Sequence, residues 1–125
     1  MNARTGEAIA HKVEVADTRE TRRKGLLGRD AFDASSALLL LPCFSIHTAF
    51  MRFSIDAIFV DRAGVVLRVV RNLPPWRIAA AWGAHAVVEL PGGGLRAGDV
   101  RAGDRLYLAA ERAPVGAAVS WPIPA

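Results

Sequence analysis

Ile9 to Ala16 reads I-A-H-K-V-E-V-A, which places Ile9, Val13 and Val15 on one side of an extended chain. Alternation with a period of two predicts a half-buried strand. Asp17 or Thr18 follows and can cap a short helix reaching Lys24, with Gly25 suited to its end. Leu26 and Leu27 would anchor that helix, and the polar stretch from Gly28 to Ser36 reads as a connection. Ala37 to Leu41 is apolar throughout and predicts a strand covered on both faces. Ala57–Val60 and Val65–Val70 are rich in β-branched and apolar residues and flank Asp61-Arg62-Ala63-Gly64. That pattern predicts a hairpin whose Gly64 takes a positive φ. Asn72-Leu73-Pro74-Pro75 ends the ladder, because proline has no amide hydrogen to donate.

A further strand is expected from Ala84 to Leu90, closed by Pro91 and the glycines 92–94. Arg96-Ala97-Gly98-Asp99 then recurs as Arg101-Ala102-Gly103-Asp104, a turn feeding a strand at 105–108. A second turn of helix is expected near 94–100, and a loosely ordered tail at 113–125. About six short strands with one or two short helices define a mainly β (β-rich α+β) fold. The expected form is a compact small domain, barrel-like or sandwich, and the pattern leaves that choice and the strand order open.

Composition narrows this further. At 125 residues the chain is long enough for one core, so 1–125 is read as a single domain. Its 52% hydrophobic and 22% charged residues fit a packed protein rather than a disordered one. No apolar run approaches the roughly 20 residues of a transmembrane helix. The N-terminus carries Arg4, Glu7, Lys12 and Glu14 without an apolar centre, so no signal peptide is expected and the cytoplasm is the expected compartment. Cys43 is the sole cysteine, which excludes an intramolecular disulfide and a cysteine zinc cluster; it reads as a small buried hydrophobe. The net charge is +4, and 14 of the 16 basic residues are arginines. Arg19, Arg22, Arg23, Lys24 and Arg29 lie close together and could hold phosphates. They lack interleaved aromatics, so a solvated helix face is the expectation and nucleic-acid binding is disfavoured.

The densest chemistry lies in Cys43 to Asp61, CFSIHTAFMRFSIDAIFVD. Asp56 opens an apolar strand, either capping a turn or pairing with Arg52, or serving as a carboxylate in a cleft. His47 reads as a core-edge histidine, or as an acid or orienting group. The stem of Arg52 would pack between Met51 and Phe53 while its head meets an anion or an internal acid. Glu89 is out of place between Val88 and Leu90 unless paired, and is a second candidate acid. Trp76, with Trp82 six residues on, could line a groove or lid one end of the fold. The three histidines lack zinc-ligand spacing, so no metal is expected. No Gly-x-Ser-x-Gly elbow is present, and Gly92-Gly93-Gly94 lacks the Lys-Ser/Thr of a nucleotide loop, so no cofactor is expected.

Several of these pieces occur in a known order. Gly-Leu-Leu-Gly-Arg at 25–29 precedes an apolar strand, and His-Thr-x-Phe-Met-Arg-Phe-x-Ile-Asp follows at 47–56. Ile58-Phe59-Val60-Asp61, Gly-Val-Val at 64–66, Pro74-Pro75-Trp76, Val88-Glu89-Leu90-Pro91-Gly92-Gly93 and Gly103-Asp104 complete it. The chain resembles domain-of-unknown-function family 192, small bacterial and archaeal proteins, over roughly residues 10–110. Many members of that family carry Trp-Met-x-Asn-Thr ahead of the aspartate matching Asp56. This chain has the His-Thr form instead, so no role of that asparagine carries over. The resemblance implies a compact β-rich fold and no named reaction.

Two functions lead, and a purely interaction or structural role gains if Asp56 proves buried and satisfied by backbone amides. One is a binding or accessory module for a small polar or anionic ligand, or for a protein segment, through a shallow groove of His47, Arg52, Asp56, Trp76 and Glu89. The other is a hydrolase- or lyase-type enzyme with Asp56 or Glu89 as base, His47 as acid or orienting group and Arg52 facing developing charge. An enzyme requires Asp56, His47 and Arg52 to converge on one solvent-reachable pocket.

Overall fold

A computed structural model describes residues 1–24, 36–49, 51–95 and 98–108. The elements are β1 (Lys12–Ala16), α1 (Arg19–Lys24), β2 (Ser36–Leu40), β3 (Ser45–His47), β4 (Ile55–Val60), β5 (Val66–Leu73), β6 (Ile78–Ala80) and β7 (Ala86–Pro91). Thr18 begins α1 as the sequence predicts. Its Oγ1 accepts the Thr21 amide at 3.1 Å, while Thr21 Oγ1 accepts the Thr18 amide at 3.1 Å. This reciprocal pair satisfies donors that every helix start leaves unpaired.

Five strands form one sheet in the order β1-β2-β7-β4-β5, and β3 and β6 form a separate two-stranded ribbon. β1 and β2 run parallel, and the other neighbours are antiparallel. β4 is buried along its whole length and β7 along all but Pro91, because apolar layers cover both sheet faces. The alternation of β4 assigns those layers. Ile55, Ala57 and Phe59 join Leu38, Leu40, Leu73 and Val87 on one face, closed over by Ile46 and Ala79 of the ribbon. Ile58 and Val60 join Leu39, Val88, Leu90, Leu95, Val100 and Leu106 on the other. The mainly β reading holds, and the sheet is open among the described residues rather than a closed barrel. No helix there is long and apolar enough to cross a membrane.

The hairpin of β4 and β5 forms as expected. Asp61 Oδ1 accepts the amides of Ala63 at 2.8 Å and Val65 at 3.0 Å, and Gly64 sits at φ 83°. Three expectations change. Val13 and Val15 are 40% and 42% exposed, because β1 pairs laterally with β2 while only its last residue, Ala16, reaches the core. The strand expected at 105–108 reduces to two isolated bridges, Val65 with Arg105 and Asn2 with Leu106. Residues 98–100 form a turn, with 96 and 97 outside the described residues, as is the expected loose tail at 113–125.

The second Gly-Asp turn is built around a buried carboxylate. Asp104 accepts Arg4 Nε at 2.8 Å, Asn2 Nδ2 at 3.0 Å and the Arg101 amide at 2.8 Å, tying the N-terminal segment to the end of the described chain. Above all the Arg4 hydrogen bond holds its carboxyl well below the usual carboxylate range, against the opposing effect of burial. A depressed folded-state pKa stabilises the fold above the unfolded value of about 4, and that contribution is lost as pH falls below it. Asp104→Asn is therefore expected to be less stable at neutral pH and to lose less further stability on acidification. Urea midpoints taken from about pH 7 to about pH 3 test this, and parallel acid declines for the two proteins would contradict it.

Candidate functional site

Asp56 lies on β4 opposite Leu90, so its side chain enters the Ile58 and Leu90 face of the sheet. It is fully buried. Oδ1 accepts the Asn72 amide at 2.8 Å and the Gly93 amide at 3.2 Å, and Oδ2 accepts the Leu95 amide at 2.9 Å. The local sequence explains the first contact. Ile55 pairs with Leu73 and Ala57 with Val70, so β5 carries an extra residue opposite Asp56 and bulges there. Asn72 reaches φ 53° in this bulge, a conformation its short amide side chain tolerates. The glycines supply the other two. A Cβ on Gly92 would stand 2.7 Å from the Ser54 carbonyl oxygen, so only glycine lets the chain pass there and aim the next amides at the carboxylate.

Glu89 faces the other way. It pairs with Leu38 on one side and Ala57 on the other, and is buried on the face that the ribbon covers. Cys43 is close to it. Burial, and secondarily the Glu89 charge, push the Cys43 thiol up, and Sγ donates to the Ser45 carbonyl at 3.1 Å. A raised pKa keeps this sulfur a thiol at neutral pH, unsuited to nucleophilic work.

His47 is on the ribbon, Trp76 flanks it through Thr48, and Arg52 is exposed four residues after Thr48. His47 pairs with Ile78, and both point outward, while their neighbours Ile46 and Ala79 point into the core. The sheet therefore stands between His47 and the Asp56 carboxylate. Asp56 and Glu89 are likewise on opposite faces. The five candidates do not share one pocket; His47, Arg52 and Trp76 are exposed, and the two acids are inside.

Thr48, which the sequence reading passed over, organises the exposed region. Its Oγ1 donates to the Pro74 carbonyl at 2.6 Å and accepts the Arg77 amide at 2.8 Å. Its backbone amide donates to the Arg77 carbonyl at 2.8 Å, and its carbonyl accepts Met51 at 3.1 Å and Trp76 at 3.0 Å. This clamp holds Trp76 at φ 67°, where a side chain costs about 1–2 kcal/mol. At the other end the Ala81 amide donates to the Phe44 carbonyl at 3.0 Å, and the Ala84 amide closes a turn on the Ala81 carbonyl at 3.2 Å. Trp82 sits in that turn, beside Gly83 at φ 80°. Phe44, Trp76, Ile78 and Trp82 are 62%, 61%, 78% and 97% exposed.

One signal in the sequence could have found this region. Residues 34–55 and 62–88 contain no aspartate or glutamate, but hold Arg52, Arg62, Arg68, Arg71, Arg77, His47 and His85. The rest of the chain has 11 basic and 12 acidic residues, so the net positive charge arises from these two stretches.

The chain belongs to domain-of-unknown-function family 192, described as "Uncharacterized ACR", whose profile matches residues 1–108. No curated protein matches it. It is similar to a protein of unknown function from Novosphingobium aromaticivorans, at 25% identity and TM-score 0.64, over 74% of this chain and 71% of that one. It is also similar to a "putative transcription regulator" from Sinorhizobium meliloti, at 22% identity and TM-score 0.67, over 74% and 78% of the two chains. The second likeness is one of fold.

Asp56→Asn replaces one acceptor oxygen with an amide that faces a backbone N–H. Hydrogen bonds to a charged group contribute about 1.5–3 kcal/mol each, so a loss of about 3 kcal/mol in unfolding free energy is expected. Denaturant titration measures it; a variant of unchanged stability would show that the carboxylate does not brace the fold.

Proposed function

We propose that this protein is a binding or accessory module whose contact surface is the outer face of the β3–β6 ribbon. His47, Arg52 and Trp76 contribute to it, joined by Phe44, Arg77, Ile78 and Trp82. The observation that carries this reading is the contrast between two groups of residues. Asp56 accepts three backbone amides inside the fold, whereas four large apolar side chains within or beside the ribbon are exposed. Large apolar groups exposed together mark contact surfaces more often than they occur by chance. Asp56 and Glu89 act in this reading as internal braces.

The ligand is anionic, because both ribbon strands lie within the stretches that carry arginine without any acid. A hydrolase or lyase would need Asp56 or Glu89 within reach of solvent beside His47 and Arg52. Both acids are buried, on opposite faces of the sheet.

Amide-resolved NMR titration with inorganic phosphate, glycerol phosphate and a short polyglutamate peptide tests the surface. Shift changes are expected at His47, Trp76, Arg77 and Ile78, and none at Asp56. Changes confined to residues outside the ribbon, or none with any of the three probes, would overturn the assignment.

A further inference from the structure

We infer that the ribbon docks onto the surface of an anionic lipid bilayer, an inference that rests on the ribbon being the contact surface. Its geometry suits a broad surface. Trp76, in a bend, and Trp82, in a turn, flank the strand Ile78–Ala80 and stand at most about 20 Å apart, with Ile78 between them and Phe44 alongside Ala81. The apolar groups thus form a strip rather than a cluster. Among the described residues, three cavities have walls that include none of the four. A bound peptide fills pockets with alternate side chains, and single-stranded nucleic acid stacks its bases on aromatic rings. Ile78, the most exposed aliphatic residue of the strip, offers no ring to a base, and none of those three cavities gives a peptide side chain a seat beside it.

The side-chain chemistry is that of the membrane interface. Tryptophan places its ring among headgroups and acyl-chain ends, isoleucine and phenylalanine enter the apolar edge, and arginine meets lipid phosphate. Trp82 is in the turn that joins the ribbon to β7, free to lead an insertion. Arg77 adjoins Ile78 and is exposed, and Arg68 lies under the ribbon with its guanidinium donating to the Ala80 carbonyl at 2.7 Å. A carbonyl acceptor does not neutralise the guanidinium, and Arg68 has no ion pair among the described residues. The absence of acids from both stretches removes the repulsion that a carboxylate would feel at a negative surface.

The test is co-sedimentation of the full chain with vesicles of phosphatidylcholine containing phosphatidylglycerol, with pure phosphatidylcholine vesicles as reference. Binding to the anionic vesicles is expected, with weakening as salt rises through about 0.15 M and a blue shift of tryptophan emission. Trp82→Ala, at an exposed turn, leaves the fold intact and is expected to lower partitioning about tenfold, a change equivalent to about 1.4 kcal/mol. Arg77→Gln is expected to lower it about fivefold on anionic vesicles only. No binding at low salt, or binding indifferent to both substitutions, overturns the inference. If vesicles fail while phosphate or polyglutamate still shifts the ribbon amides, the surface stands and its partner is a soluble anion. If the soluble probes fail as well, the ribbon is not the contact surface.

Discussion

The fold depends on a buried negative charge at Asp56. A lone carboxylate inside an apolar layer is costly enough that it survives only when its oxygens are saturated. Here the donors are backbone amides from the β5 bulge and from the turn after β7. One side chain on β4 thereby fixes the ends of both neighbouring strands. The bulge, the left-handed Asn72 and the glycines at 92 and 93 are all consequences of bringing three amides to one point. The arrangement also fixes where Leu95 enters the core, since its amide is one of the three. Asp104 repeats the device at the far end of the chain, with Asn2, Arg4 and the Arg101 amide as donors.

Much of this architecture was legible in local sequence. The β4–β5 hairpin follows from apolar runs around Asp61 and Gly64, the cap from Thr18, and the doubly covered β2 from its unbroken apolar residues. The hairpin and the cap rest on contacts a few residues apart, and β2 on an apolar run that fits burial whichever strands flank it. Features that rest on distant contacts were not legible. Val13 and Val15 alternate as a half-buried strand should, yet which strand lies beside β1, and what covers its faces, is decided by parts of the chain far away. The strand expected after Asp104 has suitable residues, but there the chain meets only Val65 and Asn2.

The site divides in the same way. The 47–56 segment was legible as unusual, because polar residues inside apolar sequence need a reason. Which face of the sheet each would occupy follows from the register of β4 against β7 and of β3 against β6, and no local pattern encodes register. Asp56 and Glu89 pair with adjacent positions on the same two strands, so a shift of one residue sends them to opposite faces. His47 is on the far side of the ribbon from the core for the same reason. Ile78 escaped notice because a single apolar residue in a strand reads as core until its neighbours are known.

The division of labour between the two sheet faces makes the ribbon more than an accident of folding. Two short strands alone would be marginal, since each contributes three residues and one inward side chain. Three attachments compensate: Ile46 and Ala79 packed on the Phe59 face, Arg68 bonded to the Ala80 carbonyl, and the Thr48 clamp on the 74–77 segment. With the ribbon held this firmly, Trp76 can be kept in a left-handed conformation that an isolated strand would abandon. Leaving Trp82 and Ile78 in water forgoes about 1.5–3 kcal/mol of burial for each. A chain that folds its Asp56 and Asp104 networks so completely has the means to cover those groups, for instance by a loop carrying one more apolar residue. It instead presents them within two long stretches of sequence that hold arginines and no acid. Exposure of that kind is stable only as long as a rigid scaffold supports it, and the saturated carboxylate on the other side of the sheet provides that rigidity.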